Sequence, residues 1–575
     1  MRMSISTLTL MAVLSITACG GGGSTQGPIV ITPPSEPDST PAPTPAPDPE
    51  IADADSDGIA DDSDNCPNDA NPDQADADVN GEGDACNAIA TTYSFENESG
   101  ASTVSYTGQT ARQVLLSDLV TAMEGLTRDV VNVPATVVSD LEFYYSFDAA
   151  TRDSAYPAVF ALAGNENMIG NDSDAASGTI APGAISADKV IKSKIAGEDS
   201  PSHILDGEFF GWGEFDSPAA LVDEFLRVIG EEASDTTDTI ALAGGDIVNI
   251  GLPTVTEAGL DMRQLLQKFL LGAMTFSQGT ADYLSIDYGS DANLSLSPGQ
   301  TYTEGAHDFD EAFGYFGAAR NYGELEDAVT GDGYLFAESD SVVADEAIDL
   351  RSEYSFANSQ NCAKRDQATA SNANPTNLSK QAFDAFVLGR QILQNAATGA
   401  TETSPGSLSD QAADALNRQI VIAAQTWEKC ISATVIHYIN DVIADMGNFS
   451  GDDFADLANF TNLAKHWGEM KGFALGLQFS PFSPFRTGEV MADGSAQSVD
   501  VDVDDLKQVL ALMGDAPVLA DGTQDITLDN SENGSLYNQA ADAAAAKEAY
   551  IADLNTARDI LETAYAFDPE NVENW

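Results

Sequence analysis

The chain has 575 residues, with 92 Asp and Glu against 24 Lys and Arg and a formal net charge of −68. A surface so acidic repels nucleic acid and anionic lipid headgroups, which makes both poor partners, and it attracts hydrated cations and basic ligands. Life in a salty habitat, where such repulsion is screened within a few ångströms, accounts for the same composition without a specific cationic ligand.

Residues 1–18, MRMSISTLTLMAVLSITA, set Arg2 ahead of an apolar run too short to remain in a bilayer, so they read as a secretory signal peptide. The following cysteine closes the stretch ITAC, Ile16 to Cys19, which resembles the bacterial lipobox. That resemblance implies cleavage and acylation at Cys19, giving a two-signal lipid anchor. Gly20 stands where an aspartate tends to retain such lipoproteins at the inner membrane, so the resemblance implies the cell outer membrane, facing the periplasm or the medium. Residues 19–50, with PAPTPAPDPE, bury no core and read as a semi-rigid tether that reaches about 90 Å if extended at about 3.1 Å per residue.

Cysteine usage agrees with export. Setting aside Cys19 leaves four, which allow three pairings. Cys66 with Cys86, inside one short module, and Cys362 with Cys430 is the favoured one.

Residues 51–90 form that module. The stretch DADSDGIADDSDNCPNDANPDQADADVNGEGDAC, 53–86, alternates carboxylates and places a glycine after each series. Asp53, Asp55, Asp57, Gly58 and Asp61 are echoed by Asp76, Asp78, Asn80, Gly81 and Asp84. Alternate oxygen ligands followed by a residue that permits a sharp turn are what a calcium loop requires. The flanking helices and the bidentate glutamate of an EF-hand are missing. With DNCP (Asp64 to Pro67), NPDQ (Asn71 to Gln74) and GDAC (Gly83 to Cys86), the segment resembles a thrombospondin type 3 repeat. The resemblance implies calcium held by Asp53, Asp55, Asp57, Asp61, Asp64, Asp76, Asp78, Asn80 and Asp84, and a disulfide from Cys66 to Cys86. Asn80 in place of a usual aspartate departs from the pattern. A disordered acidic linker is the alternative.

Residues 91–575 turn to helix-period patterning. After a short strand-like region at TTYSFENESG and STVSYTG, apolar residues recur at three and four in QTARQVLLSDLVTAMEGL, LVDEFLRVIGEE, DMRQLLQKFLLGAMTF, KQAFDAFVLGRQILQNA, QIVIAAQTWEKCISATVIHYINDVIADM and AAAAKEAYIADLNTARDILETAYAF. Start signals stand at SLSDQ and at Ser379. The fold class expected is mainly α: a large helical-bundle domain, as two packed bundles or one array without a flexible joint.

Catalytic signatures are missing: the chain has no HExxH, no GxSxG and no phosphate loop ending in GK. What remains is histidine beside carboxylate. In KHWGEMKGFALG, His466 and Glu469 share a helix face with Phe473 and Leu477. In AHDFDEAFGYFG, His307, Asp310 and Glu311 share another, with Gly314 and Ala318 permitting close approach of a neighbouring helix. Facing helices commonly build carboxylate and histidine sites in pairs, so His307, Asp310, Glu311, His466 and Glu469 form the candidate metal site. Nitrogen among the ligands suits iron or zinc better than calcium. A hydrogen-bonded His–Glu pair inside a bundle is the bland alternative. His437, with Asn440 and Asp441 three and four residues on, reads as a satisfied boundary histidine, and His203 sits in a loop with no partner in view.

VSYTGQTAR (Val104 to Arg112), HDFDEAFGYFGA (His307 to Ala318) and HWGEMKGFALGLQFSP (His466 to Pro481) resemble bacterial lipoprotein domains of the domain-of-unknown-function family 4856. That family is distantly similar to the imelysin-like helical proteins, associated with iron acquisition, whose GxHxxE motif would match His466 and Glu469; Ala464 replaces its glycine. The resemblance implies a non-enzymatic part in iron uptake, bound to a metal-bearing ligand or an outer-membrane receptor. Two alternatives stay open: a metallohydrolase with Glu469 or Glu311 as general base, and a surface interaction module.

Overall fold

The computed structural model describes residues 52–147, 167–169, 175–176, 182–198, 203–205, 207–213, 215–324, 347–492, 495–524 and 542–575. The signal, Cys19 and the tether lie outside the described residues. Contacts divide the chain into Met1–Ala52 and Asp53–Trp575, and everything below concerns the second unit.

This unit is mainly α. Its helices are α1 (Thr107–Glu124), α2 (Pro134–Tyr145), α3 (Pro182–Ile185), α4 (Pro218–Glu232), α5 (Met262–Leu270), α6 (Glu304–Phe316), α7 (Ala357–Thr369), α8 (Leu378–Ala396), α9 (Asp410–Gly447), α10 (Leu457–Gly476), α11 (Pro484–Thr487), α12 (Val503–Met513), α13 (Ala543–Tyr565) and α14 (Pro569–Asn574). The strands are short: β1 (Asn167–Ile169) lies between β2 (Ala175–Ala176) and β5 (Ala347–Asp349), β3 (Thr239–Leu242) pairs with β4 (Asp246–Asn249), and β6 (Glu489–Ala492) pairs with β7 (Ser495–Ser498). Of the strand-like region after residue 91, a single bridge from Glu96 to Ser102 forms.

The 38-residue α9 is the axis of the array, packed by α7, α8, α10, α13 and α14. Ser409 caps it, its hydroxyl accepting from Ala412 N–H at 3.2 Å, as the SLSDQ signal predicts. Ser379 plays a different part: α8 begins one residue earlier, and Asp366 of α7 caps it from outside, accepting from the N–H of Leu378 and Ser379, both at 2.8 Å. Cys362 on α7 is bonded to Cys430 on α9, and Cys66 to Cys86, the favoured pairing. The buried apolar side chains form one connected core from Tyr93 to Trp575, which is the single-array form of the expectation.

The helix begun by α5 does not stay α-helical. From Leu271 to Phe276 and from Gln278 to Tyr283 it widens to π geometry, a winding that marks strain or function. The widening begins where the chain meets α10 backbone to backbone: a Cβ on Gly272 would lie 2.4 Å from Gly476 Cα.

Glu428 is fully buried in the middle of α9 and accepts from the Tyr565 hydroxyl at 2.8 Å. Burial raises its carboxyl from 4.5 to about 8, although Ser483, Tyr565 and Ser480 favour the ion. The unfolded chain loses this proton near 4.5 and the folded chain does not. Stability should therefore fall as pH rises between those values, by on the order of 1 kcal/mol per unit, and level off above the higher one. Glu428→Gln should match the parent in thermal melts near pH 4 and exceed it increasingly towards pH 8; a constant difference across that range would refute the assignment.

Candidate functional site

The acidic module is built from short-range chemistry. Each aspartate of its first loop turns back to accept from a backbone N–H a few residues away: Asp53 from Ser56 at 2.8 Å and Gly58 at 3.3 Å, Asp55 from Asp57 at 3.2 Å, and Asp57 from Ile59 at 2.8 Å. Asp61 accepts from Ala54 N–H at 2.8 Å. The second loop repeats the pattern. Asp76 accepts from Asn80 at 3.2 Å and Gly81 at 2.9 Å, and Asp84 from Ala77 at 2.9 Å, while Asn80 stands in for Asp57 by accepting from Glu82 N–H at 2.7 Å. Gly58 and Gly81 share left-handed backbone angles of +99° and +93°, and Ser56 and Val79 share +68° and +56°. Residue spacing, hydrogen bonds and backbone conformation thus repeat together.

These turns gather carboxylates that have no cation among their hydrogen-bond donors. One oxygen from each of Asp53, Asp55 and Asp57 lies within 4.8 Å of the others. A buried oxygen of Asp55 and another of Asp64 have no hydrogen-bond partner. Burial and the charges of Asp57, Asp64 and Asp53 raise the Asp55 carboxyl, and burial raises that of Asp78. Orphaned anionic oxygens at ligand spacing fit a hard cation that takes six to eight oxygens. The module also touches the helical core, because Val79 and Ile89 pack against it.

The histidine segments are helical, as expected, but their side chains go to different partners. On α6, His307 Nδ1 lies 2.9 Å from Ser105 O and Nε2 3.7 Å from Glu311, with the ring stacked on Tyr302 at 4.7 Å. Asp310 is fully buried and accepts from Arg390 Nε at 2.8 Å, Tyr93 O–H at 2.8 Å and Ser105 N–H at 3.0 Å. Burial lifts its carboxyl, while Arg390, Tyr93 and Ser105 hold the ion. Arg390 in turn donates to Thr103 O and Oγ1 and to Gln394 Oε1. Gly314 does permit the expected close approach, since a Cβ there would lie 2.8 Å from Tyr106 Cβ at the start of α1.

On α10, Glu469 turns inward to Lys268 Nζ at 3.4 Å, with Lys465 at 3.9 Å and Tyr438 beside it. His466 turns to α9 instead. Its Nδ1 lies 2.7 Å from Asp445 Oδ2, and its Nε2 3.8 Å from Asp441 Oδ2. The five-residue site is therefore not assembled. Among the described residues, the group of three or more possible ligands drawn together within 4.8 Å is Asp53, Asp55 and Asp57, and none of His307, Asp310, Glu311, His466 or Glu469 belongs to it. The reason is competition: Asp310 is consumed by Arg390, and Glu469 by Lys268.

His437, set aside as a boundary residue, proves to belong with His466, since its Nε2 lies 3.4 Å from the same Asp441 oxygen. The spacing of His437, Asp441 and Asp445 by fours was the available signal. His203, without a visible partner in sequence, is buried with its Nδ1 3.5 Å from Ser277 Oγ.

Asp310→Asn should destabilise the protein by about 3–5 kcal/mol in urea titrations, because Arg390 is left buried beside a neutral group. A stability loss below about 1 kcal/mol would show that the pair is not a structural anchor.

No curated protein and no solved structure matches the chain. Residues 231–401 match DUF4856, a domain of unknown function. Of the three resembling stretches, His307 to Ala318 lies inside that match, and the two around Val104 and His466 lie outside it. The matched stretch runs from the end of α4 to the loop after α8.

Proposed function

We propose that the chain is a calcium-binding lipoprotein of the cell outer membrane whose helical domain serves metal acquisition without catalysis. The observation that carries the calcium part is the clustering of Asp53, Asp55 and Asp57 within 4.8 Å, together with the buried, unpartnered oxygens of Asp55 and Asp64. Like charges held this close repel one another, a cost that a bound cation would relieve, and an all-oxygen donor set suits calcium better than zinc or iron. The anchor is supported by the lipobox-like ITAC and the tether behind it. The metal-acquisition part is supported by the HxxE resemblance at His466 and Glu469 and by an acidic surface that concentrates cations. Because Val79 and Ile89 rest on the helical core, calcium would fix the membrane-proximal end of the domain rather than only stiffen a spacer.

Calorimetric titration of the full chain with calcium is expected to show two sites, with Asp53→Asn plus Asp55→Asn abolishing one and leaving the other. Chelation should lower the melting temperature of the parent and much less that of the variant. Absence of calcium heat, or a melting temperature indifferent to chelator, would sink the calcium reading. Radiolabelled palmitate should enter the parent and not Cys19→Ala, and loss of the chain should slow growth on limiting iron.

A further inference from the structure

The stripe His437, Asp441, Asp445 lies at four-residue intervals along α9, the spacing that stacks side chains on one helix face. His466 of α10 lies against it. Asp445 Oδ2 is 2.7 Å from His466 Nδ1. A carboxylate so placed holds the proton on Nδ1 and leaves Nε2 with its lone pair, the arrangement by which proteins orient a metal-binding imidazole. That Nε2 faces Asp441 Oδ2 at 3.8 Å, and His437 Nε2 faces the same oxygen at 3.4 Å. Two imidazole nitrogens thus converge on one carboxylate oxygen, with a second carboxylate behind one of the rings. Ligand atoms around a tetrahedral ion at about 2.0–2.2 Å stand roughly 3.3–3.6 Å apart, so both contacts are close to ligand spacing.

We propose that His437, Asp441 and His466 bind a divalent transition-metal ion of the zinc or iron(II) class, with Asp445 as the positioning residue for His466. Two neutral nitrogens and one carboxylate oxygen form the donor set found in zinc and non-haem iron sites, and the remaining positions are left to water or an incoming ligand. The side chains of the three are 20–34% exposed, which gives the ion a path from solvent. The imidazoles stand farther from one another than from Asp441, since these three residues are not among groups closed within 4.8 Å. Binding therefore requires the His437 side chain, whose ring also hydrogen-bonds the Trp575 backbone, to move towards His466.

The surroundings favour this donor chemistry. Burial, and then the charges of Arg365 and His466, lower the His437 imidazole, while its hydrogen bond to the Trp575 backbone acts the other way. Burial opposes charge on His466 too, but the hydrogen bond and charge of Asp445, with Asp441, raise it, so an ion competes there with a proton. Arg365 also faces Asp441, Lys465 faces both rings, and Glu469 adds negative charge beside Asp441. The local charge is therefore nearly balanced, which works against calcium and leaves selectivity to the nitrogens. Tyr438 stacks over His466 with an interplanar angle of 26° and limits its motion.

This inference deepens the metal-acquisition reading and rests on it for its biological sense. The test uses the full chain in detergent, saturated with calcium to fill the oxygen sites, and titrated with zinc, with cobalt(II) as the spectroscopic probe. A single site with cobalt d–d bands is expected, weakened at least tenfold in the near-isosteric Asp441→Asn and in His466→Ala, and 10–100-fold in Asp445→Asn with altered bands. His307→Ala should leave it unchanged, and circular dichroism of each variant checks folding. Unchanged affinity in folded Asp441→Asn, or no zinc or cobalt binding by the parent, would overturn the site. Loss of binding in His307→Ala alone would reject this site while the metal-acquisition reading stands. Binding as expected with no growth defect of a Asp441→Asn strain on limiting metal would keep the site and reject that reading.

Discussion

From Ala423 to Ile436 every residue of α9 is buried, so for about four turns the helix has no face left for water. The rest of the array follows from that constraint. An α-helix satisfies its own backbone, but the polar side chains of this stretch need partners from the elements wrapped around it. Gln425 donates to Phe482 O and Glu489 O and accepts from Met491 N–H, Lys429 donates to Met491 O, and Glu428 accepts from Tyr565 of α13. The segment from Phe482 to Met491 is thereby tied to the helix by its backbone, while Cys362 fixes α7 to the same turns. Trp427 fills the remaining volume, with its ring edge-on to Phe276 and Phe316 at 5.3 and 5.4 Å. These partners are how the helix carries Glu428, Lys429 and Gln425 in its centre without a solvated face.

The helices were legible where apolar periodicity was strong. The sequence stretch running to Met446 is one helix, and the segments around Phe309 and Phe473 lie where the pattern places them. The polar α7 has almost no apolar period, and its role emerges only when Asp366 caps α8 and Cys362 meets Cys430. The β3–β4 hairpin was not expected, although TIAL-AGG-DIVN carries its turn signal in Gly244 and Gly245, whose backbone is left-handed at +97° and +88°. The π winding after Leu270 was not legible, because nothing local in the sequence marks it; it begins where Gly272 meets Gly476, some two hundred residues away.

Side-chain partners obey a harsher rule. Spacing of three shows that His466 and Glu469 can share a face, but it does not show which neighbour each will meet. Lys268 lies under Glu469, and Asp445 lies beside His466, so the pair divides. Likewise Asp310 points inward as its spacing suggests, yet Arg390 reaches it first, and with Tyr93 and Ser105 it fastens the segment before α1 onto α6 and α8. In the loops around Asp53 and Asp76 the difficulty is smaller, because nearly all their hydrogen bonds join residues within eight positions of one another.

The acidic surface and the two kinds of candidate ion site answer different physical problems. A net charge of −68 raises the local concentration of every cation alike, and salt flattens even that advantage. Charge therefore supplies supply and capture rate, and discrimination has to come from donor atoms and their geometry. In the loops around Asp53 and Asp76 the donors are oxygens set by short turns, which suits a large, flexible coordination shell. Around Asp441 they are imidazole nitrogens held by two long helices, one of which is immobilised by burial a turn away from His437. Rigid helical positioning suits an ion with few ligands and strict angles better than it suits calcium. The four histidines of the chain are thus most informative by their placement: two stand apart beside Ser105 and Ser277, and two meet over one carboxylate on the same long helix that organises the fold.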